Sequence, residues 1–367
     1  MVAAVESAAV TPHVAWHTAR DRQRLRQRLI LAGLGVALLA AAVAASALGA
    51  LHVPLAHLLS ALLQRLGIQT ATVVPPVEQA ALFAIRLPRV ALGLGAGAML
   101  GIAGAALQAL FRNPLADPGL IGISGGAALG AVGWIVLGAL GPAWMHGGLG
   151  TPLAAFIGAL AAVAGVYAIA SGGARTDTAT LLLAGLAMNA LTAAGVGYLT
   201  YLGSDAQLRA LTFWLLGGLG GATWEQIRPV LLVMAVAMLG LVSLRRSYDV
   251  LALGERGAEH LGLDVAFVQR ATIGCIALGA GVAVALTGII GFIGLVAPHL
   301  VRLFGGVSHR FVLPAAALMG ALLLVLADLL ARLLVAPAEL PVGIVTSALG
   351  APFFIVLLRR RTRGSSP

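Results

Sequence analysis

The stretch LALGERGAEHLGL, Leu251–Leu263, is a polar island between two long apolar segments, Pro229–Leu244 and Phe267–Leu286. It mixes Glu255, Arg256, Glu259 and His260 with leucines at Leu251, Leu253, Leu261 and Leu263. The flanks approach the roughly 17–25 residues a helix needs to cross the hydrocarbon of a bilayer. An amphipathic insert in a loop between two such helices is suited to receive a partner protein. The reading is therefore an all-α, polytopic membrane protein, with the open question of whether it works alone or is driven by something docked on this loop.

Composition fits. Of 367 residues, 60% are hydrophobic and 10% charged, more apolar surface than a soluble domain can hide. The formal charge of +10 is carried by arginine alone, for the chain contains no lysine. A nucleotide-hydrolysing P-loop needs the lysine of G-x-x-x-x-G-K-[ST] to reach the phosphates. If ATP drives this protein, the ATPase is another polypeptide. The arginines are scattered beside apolar spans, which fits membrane topology rather than nucleic acid. Cys275 lies alone in an apolar run, so no disulfide framework exists.

Met1–Arg28 reads as a basic arm, and Leu29–Leu48 as a first span. Arginines, an apolar run and Ala45-Ser46-Ala47 imitate a signal peptide, but the run is longer than the ~7–15 residues of that class, so an uncleaved helix is expected. Further spans are predicted at Val90–Phe111, Leu120–Leu140, Pro152–Ala170, Leu181–Leu202, Pro229–Leu244, Phe267–Leu286, Gly291–Leu303, Val312–Leu334 and Val342–Leu358. Gly291–Leu303 is short and holds Pro298. The expected total is about ten, with 29–358 as the transmembrane domain and 359–367 as a basic tail. Positive-inside asymmetry puts both termini, Arg112, Arg175, Arg245, Arg246, Arg256 and Arg310 in the cytoplasm. Arg65, Arg86, Arg89, Arg209, Arg228 and Arg332 fall near the outer boundary. The longest outer connection, Leu51–Ala84, is predicted to carry an interfacial helix at Leu55–Leu66.

Several residues admit two readings. Gly122-Ile123-Ser124-Gly125-Gly126 satisfies G-x-S-x-G and His299 lies elsewhere, the parts of a Ser–His dyad; the alternative is a serine at a helix-packing face. Asp328 lies inside an apolar span and is a candidate proton carrier for a secondary transporter; Arg332 at i+4 can instead pair with it. His299 follows Pro298, and bonding of freed backbone carbonyls competes with a relay role. Arg86 and Arg89 flank a proline in RLPR and either snorkel to lipid phosphates or form an outer basic patch. Arg209, one turn before Phe213, suits carboxylate capture beside an aromatic, or an interfacial belt.

Taken together, RLPR at Arg86–Arg89, LQALFRNPLADPGLIGISGGAALGA at Leu107–Ala131, LALGERGAEHLGL, GFIGLVAPHLVRLF at Gly291–Phe304, HRFVLPAAALMGALLLVLADLLAR at His309–Arg332 and ELPVGIVTSALGAPFFIVLL at Glu339–Leu358 resemble one family. It is the permease subunits of bacterial ATP-driven importers for iron-siderophores, haem and cobalamin. The resemblance implies a ten-helix inner-membrane subunit that pairs with itself around a central pathway. Two cytoplasmic ATPase subunits and a periplasmic binding protein would be its partners. It implies coupling helices over 249–263, with Leu253, Gly254, Glu255, Arg256, Glu259, His260, Leu261 and Gly262 meeting the ATPase. It also implies that Arg86, Arg89 and Arg332 meet acidic residues of the binding protein. SDAQLRALTFWLLGGLGGATW, Ser204–Trp224, is most similar to haem permeases and gives Arg209 a ligand role. Tyr198, Tyr201 and Met188 are further contacts for haem in passing, or belt residues. Haem is expected as cargo of a chain with no permanent cofactor or metal, with ATP on the partner subunit and no chemistry of the chain's own.

Overall fold

Helix α1 (Pro12–Ala47) joins the arginine arm and the first apolar span into one rod, with no break between them. The computed structural model describes residues 12–364 apart from 50, 147, 172–177 and 337, so the expected position of Arg175 lies outside the described residues. In order follow α2 (Leu55–Arg65), α3 (Pro76–Ala80), α4 (Leu87–Leu110), α5 (Ile123–Leu137), α6 (Gly150–Ala170) and α7 (Thr178–Leu202). Next come α8 (Asp205–Leu216), α9 (Trp224–Ser243), α10 (Arg245–Leu251), α11 (Glu255–His260) and α12 (Val265–Thr287). The chain ends on α13 (Ile293–Gly305), α14 (His309–Leu334) and α15 (Val342–Gly364). Among the described residues, eight helical stretches are long and apolar enough to cross a membrane, and α13 and α15 supply two shorter apolar helices in the expected places.

Three boundaries differ from expectation, each for a local reason. The second span begins at Pro76, because a π-helical turn at Ala81–Arg86 fuses α3 to α4. The span expected from Leu120 starts at α5, since Gly122 adopts φ +88° between a 3-10 turn (Pro118–Ile121) and the helix. A residue with a Cβ is strained at that angle. The α13 helix begins after Phe292, which also takes a left-handed φ of +68°. The predicted interfacial helix is α2; it buries Leu58 and exposes Leu55, Leu59 and Leu66.

The centre of the bundle is α4, nearly all of whose residues are buried, and it packs against α14, α13, α12 and α9. Lipid gives helices no hydrophobic reason to associate, so close approach of backbones must supply the attraction. At the α4–α14 crossing a Cβ added to Gly101 would lie 2.2 Å from the Ala316 carbonyl oxygen. By contrast α7 shows a stripe of exposed residues, Leu183, Leu186, Leu191, Tyr198 and Tyr201, along one face.

Candidate functional site

Polar chemistry concentrates at the two ends of the bundle. At the end bearing α2 and α8, called outer after the expected orientation, Arg89 of α4 is 6% exposed. Its Nε donates to both oxygens of Asp328 on α14, at 2.9 and 3.1 Å. Its Nη1 donates to Glu339 at 2.9 and 2.8 Å. The Arg332 Nε stands 3.2 Å from Asp328 Oδ2, near enough for attraction but without a hydrogen bond's alignment. The expected Asp328–Arg332 pair is therefore present, yet Arg89 is the stronger partner. Both Asp328 oxygens are thus engaged by arginines of α4 and α14, which favours the ion-pair reading over the carrier reading.

The other donors of this cluster serve α1. A helix ends with carbonyls that have no partner in the helix, and cations near that end are favoured. The last turn of α1 contains no basic residue. Arg86 Nη1 instead donates to the carbonyls of Ser46 and Ala47, each at 2.8 Å, and Nη2 to that of Leu51. Arg332 donates to Leu48 at 3.2 Å and to Ala45 at 3.0 Å. Arg86, Arg89 and Arg332 were expected as an outward basic patch for a binding protein. All three are buried and engaged internally, because the nearest unsatisfied acceptors belong to the chain itself. A small pocket of about 180 Å³ lined by these arginines and Glu339 opens above them. Glu339 went unassigned in the sequence; its signal was a lone carboxylate just past the end of the Asp328 helix.

Also at the outer end, α8 begins with Gln207 accepting from the Ser204 backbone N–H at 2.9 Å. The same side chain donates to the carbonyls of Ile135 (3.0 Å) and Val136 (3.2 Å), tying α8 to the end of α5. This leaves Arg209 and Phe213 exposed on the free face of α8. Tyr198 and Tyr201 lie on the exposed stripe of α7, at 65% and 86% exposure. Met188 does not join them. It is half-buried on the packed side of α7, toward Gly122 and Gly165, because the helical repeat turns it inward with Ala184 and Thr192.

At the inner end, α10 and α11 form the expected helix pair around Gly254, at φ +96°. Tyr248, Leu251 and Ala258 anchor it in the core. The Tyr248 hydroxyl lies 2.9 Å from Thr272 Oγ1, and burial pushes its pKa well above the ordinary tyrosine range. Asp249 accepts from the His309 backbone N–H at 2.9 Å and pairs with its Nδ1 at 2.7 Å. Leu253 (68%), Leu261 (66%), Arg256, Glu259 and His260 are exposed. Glu255 departs from the expectation that it faces outward. It is half-buried, accepts from Thr178 Oγ1 at 3.0 Å, and stands 3.7 Å from Arg112.

Ser124 sits at the start of α5 beside the Asp117–Gly119 turn, where burial raises the Asp117 carboxyl and the Gly119 N–H at 2.9 Å partly offsets it. His299 packs edge-on against Phe353, with ring centroids 5.7 Å apart. These different surroundings favour the packing reading of the serine. Cys275 is free and half-buried. Among the described residues no cluster of three His, Cys, Asp or Glu side chains is placed to hold a metal.

Ten apolar helices among the described residues, with ion pairs at one end and an anchored helix pair at the other, define a polytopic membrane protein. The chain belongs to the FecCD transport family, matched over residues 37–360. It is 46% identical to the hemin transport system permease protein HmuU of Yersinia pestis, over 77% of this chain and 84% of that protein. It is 44% identical to the cobalamin import system permease protein BtuC of Halobacterium salinarum, over 78% of this chain and 76% of that one. A solved structure of an inward-facing, metal-chelate type ABC transporter superposes with a TM-score of 0.78 at 30% identity, covering 91% of this chain and 99% of that one. The protein is thus a permease subunit of an ATP-binding-cassette importer, a multi-span membrane protein that is not itself the ATPase.

Proposed function

We propose that this permease moves haem across the bacterial inner membrane as a homodimer, with both termini cytoplasmic. Two ATPase subunits engage the 249–263 helices, and a periplasmic haem-binding protein delivers cargo at the other end. The observation that carries the substrate is the exposure of Arg209 and Phe213, one turn apart on α8, together with that of Tyr198 and Tyr201 on α7. Haem is a flat apolar macrocycle with two propionates, and a guanidinium next to exposed aromatics suits both parts. Met188, turned inward, is left out of this path. The exposed stripe of α7 suits a second copy of the chain, which would enclose the pathway between two protomers. Transport is alternating access: nucleotide binding closes the ATPases, and α10–α11 carry that motion into the core through Tyr248, Leu251 and Ala258.

The likeness to cobalamin permeases supports a second reading, cobalamin or an iron-siderophore as cargo. The two separate by which ligand stimulates ATP hydrolysis in the reconstituted complex with its binding protein. Haem is expected to stimulate and cobalamin and siderophores not to; stimulation by cobalamin or a siderophore alone would overturn the substrate assignment. Uptake driven by a proton gradient without nucleotide would overturn the class.

A further inference from the structure

Two arginines at the outer end take no part in the cluster around Asp328. Arg65 ends α2, and its guanidinium carbon lies 5.6 Å from the centroid of the Phe83 ring. Arg228 of α9 lies 5.9 Å from the centroid of Trp224. The Trp224 indole N–H donates to the Phe83 carbonyl at 2.7 Å, so the two aromatic supports are locked to each other. Both arginines are exposed and line one open cavity of about 450 Å³. Among the described residues neither makes an ion pair, and Glu78 of α3 is held by His57 at 2.7 Å.

Through Leu87 and Trp224 this mouth continues into a second groove of about 290 Å³ between α1 and α4. That groove is lined by Ala42, Val43, Ala91 and Leu94, well within the spans. Its one hydroxyl, on Ser46, is spent on the Ala42 carbonyl at 2.8 Å. The α2 helix roofs it with Leu58 and Leu62 and turns Leu55, Leu59 and Leu66 outward. Exposed leucines of that kind place α2 at the boundary of headgroups and acyl chains, which sets the two guanidiniums at phosphate depth.

We propose that this composite groove binds one anionic phospholipid of the outer leaflet. Its phosphate lies between Arg65 and Arg228, and an acyl chain lies along Ala91 and Leu94. The charge and the apolar channel are stacked along the membrane normal, as they are in such a lipid, and guanidiniums suit phosphate oxygens. A free anion would use the mouth and ignore the groove. An ordinary interfacial belt would use neither cavity and would not distinguish headgroup charge.

The test is native mass spectrometry of the full-length permease, delipidated in mild detergent and titrated with phosphatidylglycerol or phosphatidylcholine. The wild type is expected to hold one tightly bound phosphatidylglycerol per chain and no tight phosphatidylcholine. Arg65→Ala/Arg228→Ala is expected to lose at least tenfold in affinity, and Arg65→Lys/Arg228→Lys to recover most of it. Leu94→Trp, which fills the groove but keeps the charges, is expected to weaken the lipid as well. Millimolar inorganic phosphate is expected to leave it bound. Equal binding of the two lipids, an undiminished lipid in the double alanine variant, or displacement by phosphate with no effect of Leu94→Trp would each overturn the proposal.

Discussion

Arg89 and Asp328, 239 residues apart in the chain, pair at 2.9 Å through Arg89 Nε and Asp328 Oδ1, where both side chains are almost fully buried. Removing one member leaves the other's charge without compensation, which costs about 3–5 kcal/mol where a buried pair is broken. Arg89→Met is expected to lower the thermal midpoint of the purified permease sharply. The double variant Arg89→Met/Asp328→Leu is expected to be less damaged than Arg89→Met alone. Additive losses would show that the pair is not the source of the effect.

The second carboxylate on Arg89 behaves differently, because the Glu339 side chain is 53% exposed. Exposed pairs contribute below about 1 kcal/mol. Glu339→Gln is therefore expected to leave the thermal midpoint nearly unchanged.

The ends of α1 and α4 are joined by the bonds from Arg86 to Ser46 and Ala47. Arg86→Met leaves those carbonyls unsatisfied at about 1–3 kcal/mol for a buried polar group. Limited proteolysis should detect this as faster cleavage in the α1–α2 connection, with the α9–α12 region unchanged.

Glycine positions give a paired comparison. A Cβ at Gly101 meets the Ala316 carbonyl oxygen at 2.2 Å, whereas one at Gly35 meets nothing within 4 Å. Forcing α4 from α14 costs about 1–3 kcal/mol, as overpacking commonly does. Gly101→Ala is expected to destabilise measurably in a denaturation series, and Gly35→Ala to be neutral.

What could be read in the sequence was what depends on neighbours along the chain. The apolar runs located the helices, the i+4 spacing located the Asp328–Arg332 contact, and the interruption at Leu251–Leu263 located α11 and the end of α10, which begins earlier, at Arg245. What needed the fold was every partner brought from another helix. RLPR showed two cations at a boundary, but not that Arg89 reaches Asp328 and Glu339, or that Arg86 closes the end of α1. Exposed arginine and capping arginine share one sequence pattern; only the position of the orphan carbonyls separates them. Met188 parts from Tyr198 and Tyr201 for a simpler reason, since its helical phase groups it with the buried Ala184 and Thr192. Glu255 likewise took Thr178 and Arg112, which no spacing along the chain links to it.

The proposed coupling surface has its own test. Leu253 and Leu261 are about two-thirds exposed, while Tyr248, Leu251 and Ala258 beneath them are buried. Leu253→Asp/Leu261→Asp is expected to fold and insert normally yet fail to copurify the ATPase subunits. Undiminished copurification would move the contact elsewhere.

The proposed haem pathway is tested most directly by ATP-driven haem uptake into vesicles holding the complete importer, wild type against Arg209→Ala. Uptake is expected to fall at least tenfold while basal ATP hydrolysis stays within about twofold, since truncation of one charged contact to the cargo costs on the order of 1.5–3 kcal/mol. Unchanged haem uptake in Arg209→Ala would contradict a haem path along the free faces of α7 and α8.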